Sequence, residues 1–258
     1  MNHHIPLKRF GQNYLVDQNI IRKIVREFDP QPNDSILEIG PGTGSLTSFL
    51  FDSVQKYVAV EIDKRIIEEL HSRFPKIEFI NKDFLKIDLR SLCSDQNKIR
   101  IIGNIPYNIT SPIIFKLIEN REVIQDAILM VQYEVAKRIT AKEKSKDYGI
   151  LSVLLNFFSE TKLCFKVSPN VFYPKPKVFS AIVHLKFSKS LSREFDTQLF
   201  IQVVKAAFGN RRKTLKNSLS NSKFAKIDFS NEKFDLSRRA EELTINEFVE
   251  LTRLIKNL

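Results

Sequence analysis

Ser35-Ile-Leu-Glu-Ile-Gly-Pro-Gly-Thr-Gly44 joins a short apolar run to three glycines spaced two apart, and the residues that follow, Ser45 to Phe51, have helical spacing. A strand that turns on glycine into a helix is the first crossover of a nucleotide-binding α/β sheet. Glycine is needed in such a turn because a Cβ would hold a ligand away from the backbone. The spacing is GxGxG rather than GxGxxG, and by itself the pattern also fits a plain tight connection.

The chain on either side extends the pattern. Upstream, Ile20, Ile21, Ile24, Val25 and Phe28 recur at helical spacing behind Asp17, a suitable N-cap. Downstream, Lys56 to Ile62, Ile77 to Asn81, Ile99 to Gly103 and Ala127 to Gln132 read as strands, with helices at Lys64 to Phe74, Ser111 to Glu119 and Tyr133 to Ala141. This alternation predicts a parallel sheet with helices on both faces. The polar run Lys142 to Gly149 reads as an exposed loop, and Ile150 to Phe158, Lys162 to Val167 and Val178 to Phe187 read as strands that finish the sheet. The last alternates between a Ser180, Ile182, His184 face and an Ala181, Val183, Leu185 face. Beyond it the periodicity is helical: Thr197 to Phe208, Lys213 to Leu219, Arg238 to Leu243 and Ile245 to Lys256, the last behind a Thr244/Glu247 capping box. Two domains are expected, 1–187 and 188–258.

With 258 residues, 43% hydrophobic and 28% charged, the chain can bury one substantial core and a small second domain. Its net charge of +11 favours a polyanionic partner, nucleic acid before membrane. Ten basic residues against Glu194 and Asp196 lie between Lys186 and Lys226, so most of the excess sits towards the C-terminus. Cys93 and Cys164 are far apart and form no CxxC, and His3, His4, His71 and His184 show no metal-ligand spacing, so neither a disulfide framework nor a metal site is expected. The segment MNHHIPLKRFGQNYL lacks an apolar signal core, and no run approaches the roughly 20 apolar residues of a membrane span. A cytoplasmic location with no membrane partner is expected.

Successive strand ends carry the candidate chemistry. Glu61 closes the second strand about twenty residues after Gly40, where a carboxylate accepts ribose hydroxyls in NAD and S-adenosylmethionine sites alike. Asp83 follows the third strand, placed either to accept an adenine amine, with Phe84 packing on the ring, or to cap the strand end. Asn104-Ile-Pro-Tyr107 ends the fourth. The lone pair of adenine N6 is delocalised into the ring, so the amine is a poor nucleophile. Acceptors at the Asn104 side-chain oxygen and the Ile105 carbonyl would each take one N–H and draw the nitrogen towards tetrahedral geometry. Pro106 fixes the turn and Tyr107 stacks on the base. No general base is required, because the nitrogen becomes acidic once alkylated. Unstacking a base costs a few kcal/mol and one aromatic platform returns roughly 1–3 kcal/mol. A second platform is therefore wanted, and Phe172, ahead of Tyr-Pro-Lys-Pro-Lys177, is either that or a core aromatic.

Taken in order, Phe10-Gly-Gln-Asn-Tyr-Leu15, Glu38-Ile-Gly-Pro-Gly-Thr-Gly44, Asn104-Ile-Pro-Tyr107, Phe172-Tyr-Pro-Lys-Pro-Lys-Val178 and Ala207-Phe-Gly-Asn-Arg-Arg-Lys-Thr-Leu-Lys-Asn-Ser-Leu219 resemble the bacterial small-subunit (16S) ribosomal RNA adenine dimethyltransferases of the kasugamycin-resistance type. The resemblance implies a Rossmann-like class I methyltransferase sheet with a small all-helical C-terminal domain. It implies dimethylation of two adjacent adenosines in a hairpin loop near the 3′ end of the RNA; a partly assembled 30S particle as the substrate and a monomeric protein are expected beside it. It places Asn13, Leu15 and Gly40 around the methionine part of S-adenosylmethionine, Glu61 on the ribose, Asp83 on the adenine and Asn104 on both cofactor and target amine, and Gln12, Gly42, Ile62 and Phe84 are expected beside them. Arg211, Arg212, Lys213 and Lys216, interleaved with Phe208 and Leu215, form a basic cluster suited to the RNA backbone or else a solvated helix face.

Tyr14 stands where Phe is usual, Ile105 where Leu is usual, and Phe179 where an acidic residue often follows. Large-subunit enzymes that confer macrolide resistance share the glycine turn and Asn-x-Pro-Tyr, but Ala207 to Leu219 resembles only the small-subunit type. Two further readings remain: an RNA-binding assembly factor whose binding outweighs methylation, and a nicotinamide dehydrogenase, which lacks any evident hydride-transfer acid or base.

Overall fold

The alternation of strand and helix is present in the computed structural model, which describes residues 6–7, 10–93, 97–189, 194–229 and 234–258; His3, His4 and Arg193 lie outside them. The chain divides into two units. One takes in residues up to Ala136 together with Glu160–Ser188, and the other joins Lys137–Ser159 to Lys189–Leu258. The sequence suggests one boundary, after 187. The structure has a break there and adds the excursion 137–159 to the C-terminal unit.

In chain order the strands are β1 (Tyr14–Leu15), β2 (Ser35–Ile39), β3 (Lys56–Glu61), β4 (Glu78–Asn81), β5 (Ile99–Asn104), β6 (Ile124–Gln132), β7 (Glu160–Val167), β8 (Phe172–Tyr173) and β9 (Ser180–Lys186). The helices of the first part of the chain are α1 (Gln18–Phe28), α2 (Thr47–Leu50), α3 (Lys64–Arg73), α4 (Thr110–Glu119) and α5 (Tyr133–Ile139). Asp17 caps α1 as the sequence suggests, its carboxylate accepting the Asn19 and Ile20 N–H groups at 2.8 and 3.0 Å. Seven strands form one sheet in the order β4-β3-β2-β5-β6-β9-β7, with β1 and β8 paired apart from it. Pairs from β4 to β6 are parallel, and β9 runs antiparallel to both neighbours. The strand order reverses between β2 and β5, so the ligand crevice of an open sheet belongs at their carboxyl ends. These two strands approach closely: a Cβ on Gly103 would stand 2.7 Å from the Ile39 carbonyl oxygen.

Because β9 is flanked on both sides, its residues are buried from Ser180 to Leu185, polar ones included. Both faces of the Ser180–Leu185 stretch are covered, as in strands with helices above and below, whereas Val178 and Phe179 ahead of it are exposed. His184 is accommodated by a buried ionic cluster. Arg100 on β5 forks onto Asp126, with Nε and Nη2 each 2.8 Å from a carboxylate oxygen, and reaches Asp34 at 2.7 Å. The same guanidinium donates to the Phe28 and Asp29 carbonyls and lies 4.3 Å from the centroid of the Phe28 ring. His184 Nε2 completes the cluster 2.8 Å from Asp126. Burial works against the Arg100 charge, yet Asp126 and Asp34 outweigh it and hold the guanidinium above its ordinary pKa.

Ile150–Phe158 is a helix, α6, and not a strand. The segment is apolar on nearly every side, and periodicity alone does not separate a fully buried helix from a buried strand. Ser152 settles it locally: its hydroxyl accepts the Gly149 N–H and donates to the Arg138 carbonyl. In the C-terminal unit, α6 packs with α7 (Thr197–Ala207) through Phe157, Phe158 and Phe200, joined by Phe195. The unit continues with α8 (Leu215–Ser220) and α9 (Ile245–Asn257), whose Thr244/Glu247 capping box is formed in both directions. Arg238 to Leu243, expected as a helix, supplies one 3-10 turn, Ala240–Glu242. No helix among the described residues is long and apolar enough to cross a membrane, and neither cysteine is in a disulfide.

Candidate active site

Gly40, Gly42 and Gly44 hold left-handed backbone angles, φ 65, 54 and 77°, which the turn out of β2 requires. The turn is secured by Gly40 N–H to the Val60 carbonyl (2.9 Å) and Gly44 N–H to the Pro41 carbonyl (2.8 Å). It forms one wall of a single cleft in the N-terminal unit, at the carboxyl ends of β2, β3 and β5. Gln12, Asn13, Leu15, Gly40, Gly42, Glu61, Ile62, Asp83, Phe84, Asn104, Ile105, Pro106 and Tyr107 all line it.

Glu61, buried at the end of β3, accepts the Gly42 N–H at 3.2 Å and the Asp63 N–H at 2.9 Å, one on each oxygen. Burial raises its pKa, and these two backbone donors act in the opposite direction. Asp63 in turn accepts the Gln12 amide at 3.2 Å, and Gln12 accepts the Leu7 N–H at 2.7 Å, so Gln12 fastens the N-terminal segment to the cleft. Asp83 realises the capping alternative while still facing the cleft: its Oδ1 accepts the Leu85 N–H at 2.9 Å.

Asn104 is oriented by a partner that no spacing reveals. Its Nδ2 donates to the Asn13 carbonyl at 2.8 Å, across 91 residues of sequence. The Tyr107 hydroxyl is held by Ser180 Oγ at 2.6 Å, and burial raises its pKa. Phe172 does not reach the cleft. It is 5% exposed, pairs with Leu15 between β1 and β8, and packs in the core with Tyr14 and Val167. An aromatic ahead of a proline-rich loop has the same sequence whether it faces a ligand or the core, and here its partner strand turns it inward.

Glu38, Tyr14, Ser45 and Ser180 are structural parts of the site to which the sequence reading assigns no role. Glu38 has a visible signal, a carboxylate inside an apolar strand. Its Oε2 accepts both the Thr47 and Tyr57 hydroxyls, at 2.6 and 2.7 Å. Burial pushes its carboxyl up to about 7, against those hydrogen bonds and with the help of the Glu61 charge. A carboxyl with a raised folded-state pKa contributes its full stability below about pH 4.5 and loses it as pH rises through about 7. Glu38→Gln keeps an oxygen for both hydroxyls, so its stability should change less than the parent's between pH 5 and pH 8 in denaturant titrations. Parallel pH profiles would refute this.

In the C-terminal unit, Arg212, Lys213 and Lys216 are exposed around the start of α8, whose Leu215 is fully buried. Phe208 stacks on Phe248 with centroids 5.8 Å apart. Arg211 is partly engaged, donating to Glu241 at 2.9 Å and to the Lys146 carbonyl.

Comparison with known proteins finds relatives along nearly the whole chain. The model of the family described as ribosomal RNA adenine dimethylase matches residues 6–257. The chain is 45% identical over 252 residues to the ribosomal RNA small subunit methyltransferase A of Chlorobium phaeobacteroides, covering 97% of this chain and 91% of that protein. It is 44% identical over 253 residues to the protein of the same name from Francisella tularensis subsp. novicida, covering 96% and 97%. Among solved structures, a dimethyladenosine transferase from Plasmodium falciparum superposes with a TM-score of 0.81 at 27% identity, covering 94% of this chain and 97% of that one. The 23S rRNA methyltransferase ErmE gives 0.68 at 26% identity, covering 95% and 100%. With the match to its model running nearly end to end, the chain belongs to the ribosomal RNA adenine dimethylase family.

Proposed function

We propose that this chain transfers methyl groups from S-adenosylmethionine to the N6 amine of adenosines in small-subunit ribosomal RNA, giving N6,N6-dimethyladenosine. The observation that carries the reading is the bond from Asn104 Nδ2 to the Asn13 carbonyl. With its amide nitrogen engaged there, Asn104 presents its side-chain oxygen as an acceptor in a cleft whose other wall is the glycine turn. The 44–45% identity to proteins named as small-subunit methyltransferases, against 26% to the large-subunit ErmE, supports the small subunit as the source of the RNA.

The cleft suits the cofactor. A Cβ on Gly40 would meet nothing within 4 Å, so the turn borders space that a ligand can fill. Among the described residues, the Tyr14 hydroxyl is the buried side-chain polar atom without a hydrogen-bond partner. S-adenosylmethionine, when bound, supplies an electrophilic methyl on sulfur. Glu61 accepts the ribose hydroxyls through lone pairs its backbone donors leave, and the second oxygen of Asp83 accepts the adenine amine beside Phe84. Gln12, Asn13, Leu15, Gly40 and Gly42 flank the methionine part, and Ile62 forms the rim. Tyr14→Phe removes only the hydroxyl, and titration calorimetry should show S-adenosylmethionine affinity weakened about threefold to tenfold. An unchanged Kd would mean that water satisfies the hydroxyl.

At the target amine, Asn104 and the Ile105 carbonyl accept the two N–H groups, Pro106 fixes the turn, and Tyr107 stacks on the base with its hydroxyl held by Ser180. The amine's proton leaves to solvent after alkylation, so no side chain has to act as base. Residues 188–258 meet RNA through Arg212, Lys213 and Lys216, with Arg211 contributing once released from Glu241. Binding should weaken steeply with salt, and neutralising Arg212 and Lys213 should make the slope of log K against log salt shallower by roughly 2. An unchanged slope would place the RNA elsewhere.

The substrate is two adjacent adenosines of a hairpin loop near the 3′ end, within a partly assembled 30S particle, and the protein works as a cytoplasmic monomer. Immature small subunits incubated with labelled S-adenosylmethionine and digested to nucleosides test the activity. Absence of N6,N6-dimethyladenosine refutes it, and primer extension locates the modified positions.

A further inference from the structure

Phe179 has no role in the chemistry above, yet it directly precedes Ser180, which holds the Tyr107 hydroxyl. It is 46% exposed, and Tyr173 in the same segment is 61% exposed. Register places it. Asn104 of β5 is opposite Met130 of β6, and two residues on, Gln132 is opposite Ser180 of β9. Ser180 is the residue that holds the Tyr107 hydroxyl, so Phe179 is its immediate neighbour at the same carboxyl edge of the parallel strands. Its backbone is fixed there, the Phe179 carbonyl accepting the Tyr133 N–H at 2.9 Å.

A cation is attached to this aromatic. Lys166 Nζ, from the last turn of pairing in β7, lies 3.9 Å from the Phe179 centroid and 4.7 Å from that of Tyr133. Lys175 and Lys177 are exposed in the same segment, and no acidic residue occurs between Tyr173 and Phe179. An exposed ring backed by ammonium groups suits a nucleic-acid strand, since every base offers a π-face and every phosphate a negative charge. A protein surface would more often be met by an apolar patch without this one-signed charge.

We propose that Phe179, with Lys166 against its ring and Lys175 and Lys177 in its segment, is a stacking platform for a nucleotide flanking the target adenosine in the substrate RNA. This rests on the reading of the substrate as RNA adenosine. It also gives the residue that breaks the family-like pattern after Pro-Lys-Val a contact to make.

The test compares the parent with Phe179→Ala and Phe179→Tyr on immature small subunits, together with a photo-crosslinking phenylalanine analogue at position 179. Phe179→Ala should raise KM for the particle about tenfold, with kcat and the Kd for S-adenosylmethionine unchanged, and Phe179→Tyr should restore the parent's KM. The crosslinked product should be sensitive to nuclease. A KM for Phe179→Ala equal to the parent's overturns the inference, as does a crosslink to a ribosomal protein. If the parent itself transfers no methyl groups to the particles, the reading of the substrate falls first and this inference with it.

Discussion

Asn104→Ala is expected to lower kcat by about 10²–10³-fold, the range found when one preorganised polar group facing the reacting atoms is removed. The substitution deletes the acceptor for the target amine and also its anchor on the Asn13 carbonyl. Affinity for S-adenosylmethionine should fall by much less, because Glu61, Asp83 and the glycine turn are untouched. Asn104→Asp should not rescue, since a carboxylate cannot donate to the Asn13 carbonyl and would face it with a second oxygen. Single-turnover transfer from labelled cofactor, with binding measured separately by calorimetry, separates the two quantities. A kcat within about threefold of the parent would remove Asn104 from the chemistry. The same protein discriminates catalysis from an assembly role: if it transfers no methyl groups yet still supports subunit maturation, binding is the larger function.

Arg100→Leu should cost about 3–5 kcal/mol of stability, the largest loss expected from a single change outside the cleft. Asp126 and Asp34 would keep their charges without the guanidinium, and the Phe28 and Asp29 carbonyls would lose their donor. Arg100→Lys restores a charge but not the fork that meets both Asp126 oxygens, so it should fall between the two. Urea titrations followed by circular dichroism read the difference as a shift of midpoint. A loss under about 1 kcal/mol for Arg100→Leu would show that the carboxylates are satisfied by other means.

Why some of this was legible and some was not follows from the distances involved. The glycine turn, Glu61 and Asp83 stand at strand ends within one local repeat, and such positions are marked by residue type and by the period of the strands before them. The ordered strands from Ser35 to Gln132 fall where their β-branched runs predict. Ile150–Phe158 reads as a strand and folds as a helix because a segment apolar on nearly every side has no polar face to reveal its period. Phe172 was ambiguous for a related reason, since only its pairing with Leu15 decides which way the ring points. The contacts that orient Asn104 and Tyr107 come from Asn13 and Ser180, remote in sequence and ordinary in type, and a tertiary contact of that kind leaves no mark in spacing. Arg100 could have been noticed as a charge inside an apolar strand, like Glu38, but its partners could not have been named.

Gly103 sets a limit on redesign. The hydrogen on its Cα is all that separates β5 from β2 at the mouth of the crevice, for a methyl there would collide with the Ile39 carbonyl oxygen at 2.7 Å and sit 3.1 Å from the Ile39 Cβ. Any side chain at 103 would therefore push β5 away from β2, and bulkier alkyl donors have to be accommodated elsewhere. Libraries selected for such donors should keep glycine at 103 in every active clone and gather their changes in the cleft lining, at Tyr14, Ile62 and Phe84.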